Sequence, residues 1–109
     1  MVYIIDIDGT ICSLTEGDYD DVVPFYDKIK VFNKLHDSGH TIIYWTARGM
    51  GRFGGDSWSA TTAFYDLTKK QLEEWGVKFS ELKLGKPSYD YWIDDKTISF
   101  EDVKNTIEM

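Results

Sequence analysis

The 109-residue chain has the length of one small domain, and its 42% hydrophobic and 28% charged residues are typical of a folded globular protein rather than a disordered one. Nineteen acidic against 12 basic residues give a formal net charge of −7, which argues against nonspecific binding to nucleic acid or to an anionic membrane. An anionic substrate is compatible with this charge, because a bound divalent cation can invert the local potential.

The cysteine content and the apolar runs bear on the compartment. Cys12 is the single cysteine and cannot form an internal disulfide, so nothing points to an oxidising environment. No apolar run approaches transmembrane length, and the first residues lack the basic region and hydrophobic core of a signal peptide. We expect a single domain over residues 1–109 in the cytoplasm.

The chain opens on a short β-branched and aromatic run, residues 2–5, which predicts a buried strand. Asp6 and Asp8 follow it directly, and Gly9 allows the backbone to turn sharply. Carboxylates at the end of a buried strand are costly unless something neutralises them. A catalytic or binding role therefore explains these two carboxylates better than a contribution to fold stability. In open α/β sheets, functional sites lie beyond the carboxyl ends of the strands.

The next segments predict a flap and a helix. Residues 11–23 mix apolar residues with four acids around Gly17, which suggests a flap or loose hairpin with a solvated acidic surface. Pro24 is placed to start a helix over residues 25–38, with Gly39 as its C-terminal cap. His36 and His40 flank this helix end, and we expect a surface pair rather than metal ligands.

A second buried strand is predicted at residues 40–45, where the run is almost continuously apolar. Strand, helix and strand form a βαβ unit with a right-handed crossover, so Thr46 should lie at the same sheet edge as Asp6. The glycine-rich residues 49–59 lack Walker spacing and predict a mobile loop beside the site. Arg48 or Arg52 is a candidate for substrate contact.

The second half of the chain continues the alternation of helix and strand. Residues 60–75 predict a helix with an aromatic apolar stripe, and residues 77–84 hold a shorter third strand that leads to Lys86. Residues 91–95, Tyr-Trp-Ile-Asp-Asp, repeat the opening pattern of an apolar run followed by acids, which predicts a fourth strand end. Residues 99–102 resemble a capping signal for a last helix to about residue 107.

The predicted strand ends carry residue types that suit phosphoryl transfer: Asp6 and Asp8, Thr46, Lys86, and Asp94 with Asp95. Oxygen ligands are those that Mg²⁺ prefers. One carboxylate can attack phosphorus and form an aspartyl-phosphate, while a second protonates the leaving alkoxide and then activates water. A threonine hydroxyl and backbone N–H groups can hold the phosphoryl oxygens, and a lysine spreads the transition-state charge.

In order and spacing, these motifs resemble the four motifs of the haloacid dehalogenase superfamily of phosphohydrolases. The resemblance runs from residue 2 to about residue 95, and its first motif, Asp6-Ile-Asp-Gly-Thr10, is quite specific. The chain length and the stretches Trp-Thr-Ala-Arg and Gly-Lys-Pro look most like the small capless members described as capsule-biosynthesis phosphatases. The resemblance implies a Rossmann-like three-layer α/β/α sandwich with a mainly parallel central sheet.

The resemblance also implies roles for individual residues. Asp6 would be the nucleophile and a metal ligand, Asp8 the general acid/base with its backbone carbonyl on Mg²⁺, and Lys86 the residue that stabilises the developing charge. Asp94 would hold the metal, and Asp95 would be a ligand through water or a supporting acid. The roles of Asp94 and Asp95 could also be exchanged. Substrate would contact residues of the first and second motifs: Gly9, Thr10, Thr46, Ala47 and Arg48.

Neither residues 11–23 nor residues 49–59 are long enough for the cap domain that usually closes over small substrates in this superfamily. The site is therefore either open to a bulky substrate or closed by a neighbouring subunit of a homo-oligomer, and we favour the second. The expected substrate is a small phosphorylated compound, preferably a sugar phosphate. Nucleic acid and membrane are not expected as partners.

Three other functions compete with this one. A nucleic-acid-end phosphatase would need basic patches that the chain lacks. A phospho-acceptor receiver domain is also small and acidic, but it places adjacent acids after the first strand, whereas here the adjacent pair comes last. A non-catalytic phosphate-binding relative would be expected to lose some of the residue types that are all present here.

Overall fold

The computed structural model describes residues 1–108. Its strands are β1 (Val2–Ile5), β2 (Thr41–Thr46) and β3 (Glu81–Leu84). Its helices are α1 (Tyr26–Asp37), α2 (Ser57–Glu74) and α3 (Phe100–Glu108), with one 3₁₀ turn at Tyr19–Asp21. The strands form a parallel sheet in the order β1-β2-β3, which confirms the predicted Rossmann-like α/β fold.

The register of the sheet brings the carboxyl ends of the strands together. Ile5 pairs with Tyr44, and Thr46 pairs with Leu84. Parallel strands all end at the same edge, so the residues that follow them, Asp6 and Lys86, lie on the same side as Thr46. The N–H of Lys86 donates to the carbonyl of Thr46 at 3.1 Å, which joins the ends of β2 and β3 directly.

Side chains that alternate along the strands form the core. Ile5, Ile42, Tyr44, Leu82 and Leu84 are buried on one face of the sheet and belong to the main apolar cluster. Helix α1 contacts β2, and α2 contacts β3. On the opposite face Val2 and Ile4 are exposed.

Helix α1 follows from its sequence pattern. Its buried residues Ile29, Phe32 and Leu35 keep the predicted helical spacing. The helix begins two residues after Pro24, and it ends where Gly39 takes a positive φ of 94° while the His40 N–H donates to the Leu35 carbonyl at 3.1 Å. The predicted glycine cap is thus confirmed.

Helix α2 begins earlier than predicted, at Ser57 instead of residue 60. Asp56 is its N-cap, with Oδ1 accepting from the Trp58 N–H at 3.1 Å and Oδ2 accepting from the Ser59 hydroxyl at 2.8 Å. The irregular loop that was expected over residues 49–59 therefore ends at residue 56.

The predicted fourth strand is wrong. Residues 91–95 have no regular secondary structure in the described chain, and Tyr91 and Ile93 are 88% and 97% exposed. The Trp92 ring packs edge-on against Trp45 at 6.2 Å and against Tyr89 at 5.2 Å. Side-chain packing, not hydrogen bonding to a neighbouring strand, therefore positions residues 91–95. Their apolar pattern alone did not specify a strand.

The last helix and the flap agree with their sequence signals. The Ser99 hydroxyl accepts from the Asp102 N–H at 3.2 Å at the start of α3, and Phe100 packs on Phe32 at 5.6 Å. In residues 11–23, the Ser13 N–H donates to the Val23 carbonyl at 2.9 Å, and Cys12 pairs with Pro24 as an antiparallel bridge. No helix within residues 1–108 is both long enough and apolar enough to cross a membrane.

Gly49 provides a test of this packing. It has a φ of +80°, and a Cβ at this position would lie 2.6 Å from the Phe64 ring and 3.2 Å from the Ala60 Cβ. We expect Gly49→Ala to lower the free energy of unfolding by about 2–4 kcal/mol, because it adds left-handed backbone strain to overpacking. Urea denaturation measures this change.

The matched control is Gly51→Ala in the same loop, where an added Cβ meets no heavy atom of residues 1–108 within 4 Å. Its unfolding free energy should stay within about 1 kcal/mol of the wild-type value. Equal destabilisation by both substitutions would contradict the packing described around Phe64.

Candidate active site

Asp6 and Lys86 form an ion pair across the carboxyl edge of the sheet. Asp6 directly follows β1 and Lys86 lies two residues after β3, and Oδ1 of Asp6 is 3.8 Å from Nζ of Lys86. The lysine side chain is 11% exposed and that of Asp6 is 35% exposed, so the pair lies at the mouth of a partly buried site. The predicted convergence of these two residues is present in the structure.

The Asp6 carboxyl is in an environment that disfavours its charge. Burial raises its pKa, and the neighbouring Asp8 carboxylate adds to this, whereas the Lys86 ammonium and a hydrogen bond from the Ile7 backbone lower it. The balance leaves the pKa of Asp6 above its usual value. A further positive charge near Asp6 would therefore favour the ionised form that a nucleophile needs.

Aromatic residues of the segment after β3 hold Lys86 in place. Its Nζ donates to the Tyr89 hydroxyl at 3.2 Å. The same ammonium lies 4.9 Å from the centre of the Tyr89 ring and 5.7 Å from that of Trp92. These contacts restrict the lysine to the neighbourhood of Asp6.

Asp8 is bound by Arg48 through two hydrogen bonds. Nε of Arg48 donates to Oδ2 at 3.0 Å, and Nη2 donates to Oδ1 at 3.0 Å. The arginine side chain is 0% exposed and that of Asp8 is 18% exposed. In this conformation the guanidinium presents no surface to a substrate, which is a different placement from the substrate contact expected from the sequence.

Cys12 also contacts Asp8. Its Sγ donates to Oδ1 of Asp8 at 3.4 Å, and burial followed by the Asp8 charge raises the pKa of Cys12 to about 12. The thiol therefore stays protonated at neutral pH and acts as a weak hydrogen-bond donor, not as a nucleophile.

The other predicted substrate residues hold the backbone around the site. The Thr46 hydroxyl is buried and accepts from the Arg48 N–H at 3.2 Å, while Ala47 is half-buried beside it. The N–H groups of Gly9 and Thr10 donate to the carbonyls of Cys12 and Ile7, at 2.8 and 3.0 Å. These two N–H groups close the turn after the first motif in this conformation, so they are not directed at a phosphate.

A cavity of about 620 Å³ opens beside the ion pair. Asp6, Lys86 and Asp94 all line it, and Tyr89 and Trp92 contribute an aromatic wall. In the described part of the chain, Asp95 does not belong to this lining. Although the predicted fourth strand is absent, the structure still brings Asp94 to the same cavity as Asp6.

Asp94 is exposed and hydrogen-bonded locally. Its Oδ1 accepts from the Lys96 N–H at 3.0 Å, and Oδ2 accepts from Trp92 Nε1 at 3.5 Å. Hydrogen bonding with Asp95 is the largest of several contacts that hold the pKa of Asp94 below its usual value. Asp94 is therefore ionised at neutral pH, as a metal ligand must be.

The donor set can be compared with the needs of Mg²⁺. No group of three or more His, Cys, Asp or Glu side chains within residues 1–108 is arranged to hold a metal ion. Mg²⁺ usually takes only one or two carboxylates and keeps several waters. Asp6 and Asp94 line one cavity and offer it two carboxylates, the number that such a site takes.

Four residues near the site were missed from the sequence: Tyr19, Thr68, Gln71 and Tyr89. Thr68 and Gln71 bind the Arg48 guanidinium from α2, and Tyr19 stacks on it from the flap. The sequence offered one signal for these contacts: Thr68 and Gln71 are two polar residues, three positions apart, on the otherwise apolar buried face of α2. A polar pair on a buried helical face predicts a buried hydrogen-bonding partner.

Comparison with known proteins bears on the fold. No family model matches this chain, and no curated protein matches it. Among solved structures, an MCSG target from Vibrio cholerae is similar, with a TM-score of 0.85 and 26% sequence identity over 94% of this chain and 86% of that one. The name of that protein states no activity. The similarity therefore supports the α/β fold, and function rests on the chemistry of the site.

Proposed function

We propose that the chain is a Mg²⁺-dependent phosphomonoester hydrolase that works through an aspartyl-phosphate on Asp6. The observation that carries this proposal is the position of Lys86 Nζ, 3.8 Å from the Asp6 carboxylate on the wall of a 620 Å³ cavity. A carboxylate next to a held cation is suited to attack a phosphoryl group whose charge the cation offsets. A surface ion pair formed for stability would not need a cavity beside it.

The reaction has two displacements. An Asp6 oxygen forms a bond to phosphorus while the bond from phosphorus to the ester oxygen breaks, and the leaving oxygen takes the proton of a protonated Asp8 carboxyl. Water then attacks the phosphorus and gives a proton to Asp8, and the bond from phosphorus to Asp6 breaks, which regenerates the carboxylate and releases inorganic phosphate. Lys86 stabilises the negative charge in both steps.

The metal would be held by the carboxylates of Asp6 and Asp94 and by the backbone carbonyl of Asp8, with Asp95 as a supporting acid. Bound there, Mg²⁺ supplies the positive charge that offsets the phosphoryl oxygens. Hard oxygen donors and a small number of carboxylates suit this ion better than a transition metal.

The cavity wall suggests the leaving group. Tyr89 and Trp92 place aromatic surface beside Lys86, and aromatic rings suit the apolar C–H face of a sugar. We therefore propose a sugar phosphate or a related polysaccharide precursor as substrate, acted on in the cytoplasm, where the buried free thiol of Cys12 would stay reduced. A second copy of the chain would cover the open mouth of the site.

The experiment that tests this proposal measures phosphate release from sugar phosphates, nucleotides, p-nitrophenyl phosphate and a 5′-phosphorylated oligonucleotide, with Mg²⁺ and with EDTA. We expect release from sugar phosphates and the aryl phosphate in Mg²⁺, and a loss of at least about 100-fold in EDTA. Release that is unaffected by EDTA would contradict the metal requirement. Stable labelling of Asp6 by a phosphodonor without turnover would favour a receiver-like role instead.

A further inference from the structure

Arg48 is the most completely buried charged residue near the site, and its contacts are unusually numerous. Besides its two bonds to Asp8, Nη1 donates to Gln71 Oε1 at 2.6 Å and to the Thr68 hydroxyl at 3.2 Å. The guanidinium carbon also lies 4.8 Å from the centre of the Tyr19 ring. A guanidinium with partners on all three nitrogens is fixed in position and orientation.

The anchors of Arg48 come from two separate elements. Thr68 and Gln71 belong to α2, and Tyr19 belongs to the flap. Gln71 Nε2 donates to the Tyr19 carbonyl at 2.5 Å, and the Tyr19 hydroxyl accepts from the Gly49 N–H at 2.9 Å. The flap and α2 thus hold Arg48, which lies on the loop after β2, against Asp8.

The two oxygens of Asp8 are not equivalent. Oδ1 accepts from both Arg48 Nη2 and Cys12 Sγ, whereas Oδ2 accepts only from Arg48 Nε among residues 1–108. A carboxylate oxygen can accept two hydrogen bonds in its plane. Oδ2 therefore keeps one acceptor position, and its direction is set by the arginine.

We propose that Arg48 is a positioning residue that fixes the Asp8 carboxylate with Oδ2 as the acceptor for the attacking water. This inference rests on the proposed hydrolase activity and assigns Arg48 to its second displacement. In that step one proton of the water moves to Oδ2 of Asp8, the water oxygen bonds to phosphorus, and the bond from phosphorus to Asp6 breaks. With p-nitrophenyl phosphate, whose leaving group departs without a proton, misplacement of Oδ2 slows this step more than the first one.

The test follows p-nitrophenyl phosphate with Mg²⁺ in rapid-mixing experiments on Arg48→Met. We expect steady turnover to fall on the order of 100-fold, after a burst of about one nitrophenolate per chain, because the phosphoenzyme forms but is hydrolysed slowly. Acid quenching should recover phosphate bound to Asp6. A merely structural role would lower the amount of folded protein without producing a burst.

The matched control is Lys70→Met on α2, whose exposed side chain lies 4.0 Å from Glu74 and has no role at the site. It should turn over at the wild-type rate without a burst. Arg48→Lys keeps the charge but cannot bind both oxygens, so an intermediate rate with a detectable phosphoenzyme is expected. This variant decides the question where Arg48→Met does not fold.

A folded Arg48→Met or Arg48→Lys protein with wild-type turnover, or with slow turnover and no accumulated phosphoenzyme, would overturn the positioning role while leaving the hydrolase proposal intact. Acetyl phosphate is a second probe of Asp6, and the lifetime of any label that it leaves there reports the second displacement without a phosphomonoester. A wild-type chain that is labelled but releases no ester phosphate would refute the hydrolase alone. A chain that acquires no label and releases no phosphate would overturn both.

Discussion

Asp6→Asn is expected to abolish phosphate release, with a loss of at least about 10³-fold for every substrate that the wild-type chain hydrolyses. The amide has nearly the shape of the carboxylate but cannot form the aspartyl-phosphate. Steady-state release of phosphate in Mg²⁺ measures the effect. No acid-stable phosphoenzyme should be recovered from this variant.

The same substitution should leave the fold intact and should not lower stability at pH 7. Since the pKa of Asp6 is raised in the folded chain, ionising this group disfavours folding as the pH rises through that pKa. A neutral asparagine removes this penalty. Thermal unfolding in EDTA should therefore show a midpoint equal to or above that of the wild type, and this difference should shrink at pH values below the usual pKa of an aspartate.

Full activity in Asp6→Asn would refute the nucleophile assignment. A large drop in the unfolding midpoint would instead show that Asp6 supports the fold through Lys86, contrary to the direction of its pKa. The combination of lost activity and retained stability is typical of a residue placed for chemistry.

Lys86→Met should lower kcat by about 10²–10³-fold, because it removes a preorganised cation beside the reacting group. The side chain keeps most of its length and apolar contact with Tyr89 and Trp92, so the main loss is the charge. The activity of the purified variant in Mg²⁺ checks this magnitude.

The pH profile of Lys86→Met gives an independent result. The ammonium lowers the pKa of Asp6, so its removal should raise that pKa further and move the acid limb of kcat/KM to higher pH. The matched control is Lys83→Met on β3, whose side chain is exposed and pairs with Glu81 at 3.8 Å. An unchanged acid limb in Lys86→Met would contradict the proposed coupling of this lysine to Asp6.

Several elements could be predicted because their signals are local. The apolar spacing of α1, the glycine that ends it and the serine that caps α3 depend on residues within a few positions of one another. The convergence of Asp6, Thr46 and Lys86 was also predictable, since the handedness and direction of parallel strands place their carboxyl ends at one edge.

Two other predictions depended on information that a local pattern does not contain. Residues 91–95 have the composition of a strand, but a strand also requires a partner ladder, and Trp92 packs on Trp45 instead. Arg48 has the residue type and the position of a substrate contact. Its guanidinium instead binds Asp8 in the interior, because Thr68 and Gln71 of α2, about 20 residues further along the chain, accept hydrogen bonds from it there.

The order of strands and helices up to β3, and the sheet edge at which Asp6, Thr46 and Lys86 meet, followed from local patterns and from the direction of parallel strands. The partner of Asp8, the surroundings of Lys86 and the position of Asp94 on the cavity rather than at a strand end depend on long-range packing and could not be predicted from local patterns. The physical reason is the range of the interactions. Helix and strand signals repeat every two to four residues, whereas a buried ion pair is determined by whichever distant groups the packing brings within about 3 Å.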